Sequence, residues 1–238
     1  MIRPESRIFC AIDTTDLDEA RALAKKLSGV VGGIKLGLEF FVAQGPAGVR
    51  AVVGDMGMPF FLDLKLHDIP NTVARAVRAA VPLQPHFLTI HTSGGPAMMS
   101  AAAEAAAEAA DRAGLARPRV LGVTVLTSLD GDDLDAVGQK GPPAEQVRRL
   151  AVLAQTSGLD GVVCSPAEVA RLRDQCGPDF TLMVPGIRPA GSAVGDQKRV
   201  LTPREAVNFG ADFLVIGRPI TEAEDPAEAA RRIVEELS

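Results

Sequence analysis

The run Asp63-x-Lys65-x-x-Asp68 sets two carboxylates around one ammonium group. A lysine so placed can deliver a proton and stabilise negative charge that develops beside it. Asp13 and Lys35 bring the same two chemistries from earlier in the chain. Much later, Gly217-Arg218 puts a residue without a side chain next to a guanidinium. That pairing lets backbone approach an anion while the arginine binds it bidentately. Arg188 and Gln197 lie on the preceding loop, so three polar groups on two adjacent loops point to a phosphorylated ligand.

These residues need elements to position them. Short apolar runs alternate with longer amphipathic segments. Strands are predicted at Ile8–Asp13, Gly33–Leu38, Phe60–Leu66, Phe87–His91, Arg119–Thr127, Gly161–Cys164, Thr181–Val184 and Phe213–Ile216. Helices are predicted at Leu17–Leu27, Glu39–Val53, Thr72–Val81, Ala97–Ala113, Ala144–Thr156, Pro166–Gln175, Pro203–Phe209 and Pro226–Leu237. Such alternation implies parallel strands with right-handed crossovers. Eight units in 238 residues favour an α/β fold of one domain, a closed (β/α)8 TIM barrel spanning residues 1–238. An open doubly wound sheet is the alternative. It would want a glycine-rich turn after the first strand, where Asp13-Thr14-Thr15-Asp16 stands instead.

Alternate strand residues face the barrel interior. Phe9, Ala11 and Asp13 share a face, as do Lys35 and Gly37, then Phe61, Asp63 and Lys65. Phe87, Thr89 and His91 share another, and so do Val123, Val125 and Thr127. If those faces point inward, Asp13, Lys35, Asp63 and Lys65 converge at the C-terminal mouth, where barrels build their active sites. The four could instead form a structural ion-pair network. Buried ion pairs contribute little to stability, because desolvation can exceed the Coulombic gain, so function is the better reading. Asp68 falls on the loop after the third strand. It could cap the next helix, although Asn71 or Thr72 could also do so. His91, at the end of the fourth strand, reads as an interface or core-network histidine rather than a general acid.

Composition narrows the function classes. A net charge of −5 argues against broad binding to nucleic acid or an anionic membrane, but not against one bound phosphate. Hydrophobic residues make up 47% and charged residues 23%, an ordinary globular balance. Cys10, Cys164 and Cys176 have no metal-ligand or CxxC spacing and read as free thiols in a reducing compartment. No signal peptide or transmembrane run appears, so a cytoplasmic protein is expected. No cofactor or metal motif appears. One connection, Gly186 to about Arg199, carries four glycines or prolines and no helical period. A loop of that length reads as a functional segment, often a lid, with a tolerated surface insertion as the alternative.

Taken together, these motifs resemble the orotidine 5′-monophosphate decarboxylase family. The resemblance is carried by Phe61-Leu-Asp63-Leu-Lys65-Leu-His67-Asp68-Ile69-Pro70-Asn71-Thr72, Ile12-Asp13, Ile34-Lys35-Leu-Gly37 and Thr124-Val-Leu-Thr127-Ser128. It continues through Val184-Pro-Gly186-Ile-Arg188-Pro, Gly195-Asp-Gln197-Lys-Arg199 and Val215-Ile-Gly217-Arg218-Pro-Ile-Thr. It implies a cofactor-free, metal-free decarboxylase of orotidine 5′-monophosphate acting as a homodimer. Lys65 would donate the proton to C6 of the pyrimidine. Asp63 and Asp68 would flank the substrate carboxylate, with Asp68, Ile69 and Thr72 supplied across the dimer interface. Asp13 and Lys35 would hold ribose hydroxyls, and Thr127 would lie near the base. Arg188, Gln197, Gly217 and Arg218 would hold the 5′-phosphate under the closing loop.

Three rivals stay open on sequence. A related Mg2+-dependent decarboxylase of 3-keto sugar phosphates shares the Asp-x-Lys-x-x-Asp run but is expected to carry an acidic metal ligand where this chain has Lys35; insensitivity to EDTA would separate the two. A Schiff-base aldolase using Lys35 or Lys65 would be trapped by borohydride. A non-catalytic nucleotide-binding protein could share the fold.

Overall fold

The computed structural model describes residues 2–54, 56–189 and 201–237. Eight parallel strands close into one barrel in sequence order. They are β1 (Ile8–Ile12), β2 (Gly33–Gly37), β3 (Phe60–Leu66), β4 (Phe87–His91), β5 (Arg119–Val123), β6 (Gly161–Val163), β7 (Thr181–Val184) and β8 (Phe213–Ile216). β1 pairs with β8 through Phe9↔Val215, which closes the ring. An open doubly wound sheet is thereby excluded.

Around the barrel run α1 (Leu17–Leu27), α2 (Leu38–Val53), α3 (Pro70–Ala80), α4 (Pro96–Ala113), α5 (Gly131–Ala136) and α6 (Pro143–Thr156). They are followed by α7 (Val169–Cys176), α8 (Pro203–Asn208), α9 (Arg218–Thr221) and α10 (Pro226–Leu237). Two hydrophobic layers result. The larger lies between strands and helices and includes Ile8, Cys10, Ile12, Leu36, Leu62 and Leu88. The smaller fills the barrel and comprises Phe9, Ala11, Phe61, Phe87, Leu121, Met183 and Val215. The inward phase expected for Phe9, Phe61 and Phe87 is therefore correct. Phe9 and Phe87 meet edge-on with centroids 5.3 Å apart, a favoured aromatic geometry. This plug seals the barrel below the mouth, so polar side chains one layer higher stand on an apolar floor.

Several element ends differ from expectation. The β5 ladder stops at Val123, not Thr127. Its partner β6 has only three residues, and the Thr124 side chain turns to donate to the Val163 carbonyl at 3.0 Å. α3 begins at Pro70 rather than Thr72, with Ile69 as its N-cap, so neither Asn71 nor Thr72 caps it. Proline suits the first helical position because its missing N–H has no partner there in any case. α2 kinks at Gly45, whose φ of 60° suits glycine, just before Pro46. The segment predicted as one helix over Pro166–Gln175 starts as a 3-10 turn at Pro166–Glu168 before α7.

Candidate active site

The charged residues meet at the C-terminal mouth as one alternating chain. Lys35 Nζ donates to Asp13 Oδ1 at 3.2 Å and lies 3.6 Å from Asp63 Oδ2. Lys65 Nζ donates to the same Asp63 oxygen at 2.7 Å. Strand register explains the convergence. Ala11 pairs with Lys35, Lys35 with Phe61, and Gly37 with Asp63, so the polar ends of three strands arrive at one level. A Cβ on Gly37 would stand 3.0 Å from Lys35 Nζ, so the glycine leaves the ammonium group room where it now lies. Asp13 itself lies one residue beyond β1 and is exposed, whereas Lys35 and Asp63 are buried.

Burial is the largest influence on the Asp63 carboxyl and would push its pKa up. Lys35, Lys65 and the hydrogen bonds from Lys65 and Thr89 together outweigh it, and the carboxyl titrates below its ordinary 3.8. A depressed carboxyl contributes stability that is fully present above its unfolded value and lost as pH falls through the folded one. Chemical unfolding should therefore show stability falling on acidification below about pH 4, with a shallower fall in Asp63→Asn. An identical acid slope in the two proteins would contradict this.

Above the aromatic plug lies a cavity of about 190 Å3. Lys35, Asp63, Lys65 and Thr127 supply its polar wall, and Val123, Val125, Leu126, Val163, Pro185 and Val215 its apolar one. Val125, Leu126 and Thr127 all lie past the end of β5 and all line the cavity, so the strict alternation expected there is lost. The site thus offers a cavity with an apolar wall and ammonium groups, suited to a ligand that bears or develops negative charge.

The phosphate-side residues stand on the neighbouring loops. Gly217 follows β8 and leads into α9, whose first residue is Arg218. A Cβ on Gly217 would lie 3.4 Å from Ala11 Cβ and 4.0 Å from Asp13 Oδ2. The protein alone would tolerate that Cβ, so the glycine leaves room at the mouth beside Asp13. After β7, Ile187 bridges to Leu201 and the Arg188 N–H donates to the Leu201 carbonyl at 3.0 Å. Those contacts pin together the two stems of the expected lid. Gln197 and most of the Gly186–Arg199 loop lie outside the described residues.

Asp68, Ile69 and Thr72 are exposed, and none is hydrogen-bonded or ion-paired to the quartet. Asp68 Oδ1 accepts from the Ile69 N–H at 2.7 Å, and Ile69 is 67% exposed. His91 is half-buried, with its ring centroid 5.5 Å from that of His67. Desolvation, then nearby His67 and Lys65, lower its pKa from the ordinary histidine value, against a raising influence of Asp63. Thr89 was not singled out from sequence, yet its hydroxyl donates to Asp63 Oδ1 at 2.8 Å. Its only signal was its phase on β4. Among the described residues, no three His, Cys, Asp or Glu side chains gather closely enough to hold a metal ion, and no helix is long and apolar enough to cross a membrane. The three cysteines are buried and unpaired with one another, and burial pushes the Cys10 thiol up to about 12.

Residues 6–233 match the profile described as "Orotidine 5'-phosphate decarboxylase / HUMPS family". The chain is 60% identical over 237 residues to a protein of Paramagnetospirillum magneticum named orotidine 5′-phosphate decarboxylase, covering 100% of this chain and 99% of that one. A Rhodospirillum rubrum protein of the same name is 56% identical, with 98% of this chain and 94% of that one aligned. Among solved structures, orotidine 5′-phosphate decarboxylase from Lactobacillus acidophilus superposes with a TM-score of 0.86 at 37% identity, covering 97% and 98% of the two chains.

Proposed function

The chain belongs to the orotidine 5′-phosphate decarboxylase / HUMPS family, and from that premise we propose that it converts orotidine 5′-monophosphate to uridine 5′-monophosphate, the last step of de novo pyrimidine biosynthesis. One observation carries the choice within the family. Lys35 occupies the second-strand position between Asp13 and Asp63, 3.2 and 3.6 Å from their oxygens. A divalent cation bound at Asp63 would lie against that ammonium group. The site therefore favours the cofactor-free decarboxylase over the Mg2+-dependent sugar-phosphate enzyme.

Loss of CO2 from C6 leaves a carbanion in the ring plane, with no ring carbonyl placed to delocalise it. Catalysis without an electron sink then rests on electrostatics and position. The Lys65 ammonium would lie at C6, stabilise the developing charge and supply the proton that replaces CO2. Asp63 would sit beside the substrate carboxylate. Two like charges at ~4 Å and an effective dielectric of ~20 repel by about 4 kcal/mol. Enzymes lower barriers by roughly 8–23 kcal/mol, so repulsion alone is too small. The remainder falls to preorganised Lys65 and to binding at the remote phosphate, through Arg188, Gln197, Gly217 and Arg218, which would hold the lid closed. Asp13 and Lys35 would bind the ribose hydroxyls, and Thr127 the base side.

We assign the exposed Asp68, Ile69 and Thr72 to the second site of a homodimer in the cytoplasm. Their exposure in one subunit, with no hydrogen bond or ion pair to its quartet, supports the shared site. Lys65→Ala and Asp68→Asn should each be inactive alone. Mixed with subunit exchange, they should recover activity at about a quarter of the sites, since half the dimers pair unlike subunits and each of those restores one site. No recovery after verified exchange would contradict a shared site. Product analysis tests the reaction itself. Orotidylate should give uridylate and CO2 in equal amounts, and a 3-keto sugar phosphate with Mg2+ should not react.

A further inference from the structure

The strand that carries the reacting residues is irregular where they sit. Leu62 pairs with Leu88 but Leu66 pairs with Ile90, so four steps along β3 correspond to two along β4. Within that bulge Lys65 has a φ of 48°, a left-handed conformation that non-glycine residues rarely adopt. Such conformations persist where the surroundings over-determine them. The Lys65 N–H donates to Thr89 Oγ1 at 3.0 Å, and the same hydroxyl donates to Asp63 Oδ1 at 2.8 Å.

One fully buried hydroxyl thus holds both members of the ion pair. It accepts from the backbone of Lys65, in its unusual conformation, and donates to the carboxylate oxygen that the lysines leave open. Asp63 Oδ2 then faces Lys65 Nζ at 2.7 Å and Lys35 Nζ at 3.6 Å. The division of labour between the two carboxylate oxygens fixes the plane of the group. Threonine suits the task chemically. It can donate and accept at once, and its β-branch leaves few χ1 choices. Valine has the shape without either capability. Thr89 is not among the residues lining the cavity, so it reaches a ligand there only through its neighbours.

We propose that Thr89 is a positioning residue for the decarboxylation assigned above. Its hydroxyl holds the bulge that aims the Lys65 ammonium, and it orients Asp63 between the two lysines. The inference rests on the decarboxylase reading. β4 is therefore more than a barrel wall: it sets the angle at which its neighbour presents the proton donor. Small misplacement of a reacting group is costly to rate while leaving remote binding intact.

The test compares two substitutions on the full chain. Thr89→Val should lower kcat for orotidylate roughly 10- to 100-fold, because the proton donor is no longer held at the angle of reaction. The KM and the affinity for uridylate should stay within about twofold, because phosphate and ribose contacts are untouched. Thr89→Ser keeps the hydroxyl and should retain kcat within about threefold of the parent. Wild-type kcat in Thr89→Val, or an equal fall in Thr89→Ser, overturns the proposal. If Thr89→Val does not fold, Thr89→Ala replaces it in the comparison, and equal kcat in Thr89→Ala and Thr89→Ser overturns it too. An inactive parent protein would instead overturn the decarboxylase reading on which the proposal rests.

Discussion

Lys65→Ala should lose roughly 10,000-fold or more in kcat on orotidylate and still bind uridylate. The size follows from how many tasks one side chain would perform. As a general acid it is worth roughly 100- to 10,000-fold. As a fixed cation at the developing carbanion it adds an electrostatic contribution of roughly 100- to 1,000-fold, although the two overlap and do not simply multiply. The substitution also leaves Asp63 with Lys35 as its remaining cation, at 3.6 Å rather than 2.7 Å. A buried carboxylate so weakly neutralised would repel the substrate carboxylate without the compensating ammonium nearby. Steady-state turnover of purified variant and parent, with melting temperatures as the folding control, measures this. A variant within tenfold of the parent would remove Lys65 from the mechanism.

Arg218→Ala should lower kcat/KM roughly 100-fold and weaken uridylate binding by a similar factor. A guanidinium hydrogen-bonded to a phosphate contributes about 1.5–3 kcal/mol, and about 2.8 kcal/mol is a factor of roughly 100. Part of that binding energy would be realised only when the lid closes, so kcat should fall as well as KM rise. Uridine, which has no phosphate, should bind both proteins equally. Equal uridylate affinity in parent and variant, by calorimetry, would contradict the phosphate assignment. The position of Gly217 beside Asp13 and Ala11 gives this prediction its structural basis, because it places the strand end at the same mouth as the charged quartet.

The order and type of all eight strands were legible in the sequence because alternating apolar runs and helical periods differ in repeat. Strand ends were less so. The alternation read over Val123, Val125 and Thr127 runs past the point where β5 loses its partner, and alternation in sequence cannot reveal that β6 is three residues long. α5 and α9, of six and four residues, are too short for a helical period to register. In the site, the quartet was visible because charged residues on barrel strands are rare and costly. The bulge was not. Nothing in the residue type of Lys65 announces a positive φ, and a threonine on a strand is ordinarily there for packing. Thr89 therefore emerged only once the hydroxyl could be seen between Asp63 and the Lys65 N–H.

On the proposed function, this quartet decarboxylates orotidylate with no metal or cofactor. The most direct test is the loss of orotate-type absorbance on adding orotidylate to protein dialysed against EDTA. With no Trp or Tyr in the chain, the background in the ultraviolet is low. Full turnover in EDTA, unchanged on adding Mg2+ and abolished in Lys65→Ala, is the predicted result. No turnover until Mg2+ is restored would contradict it and reassign the site to metal-dependent chemistry.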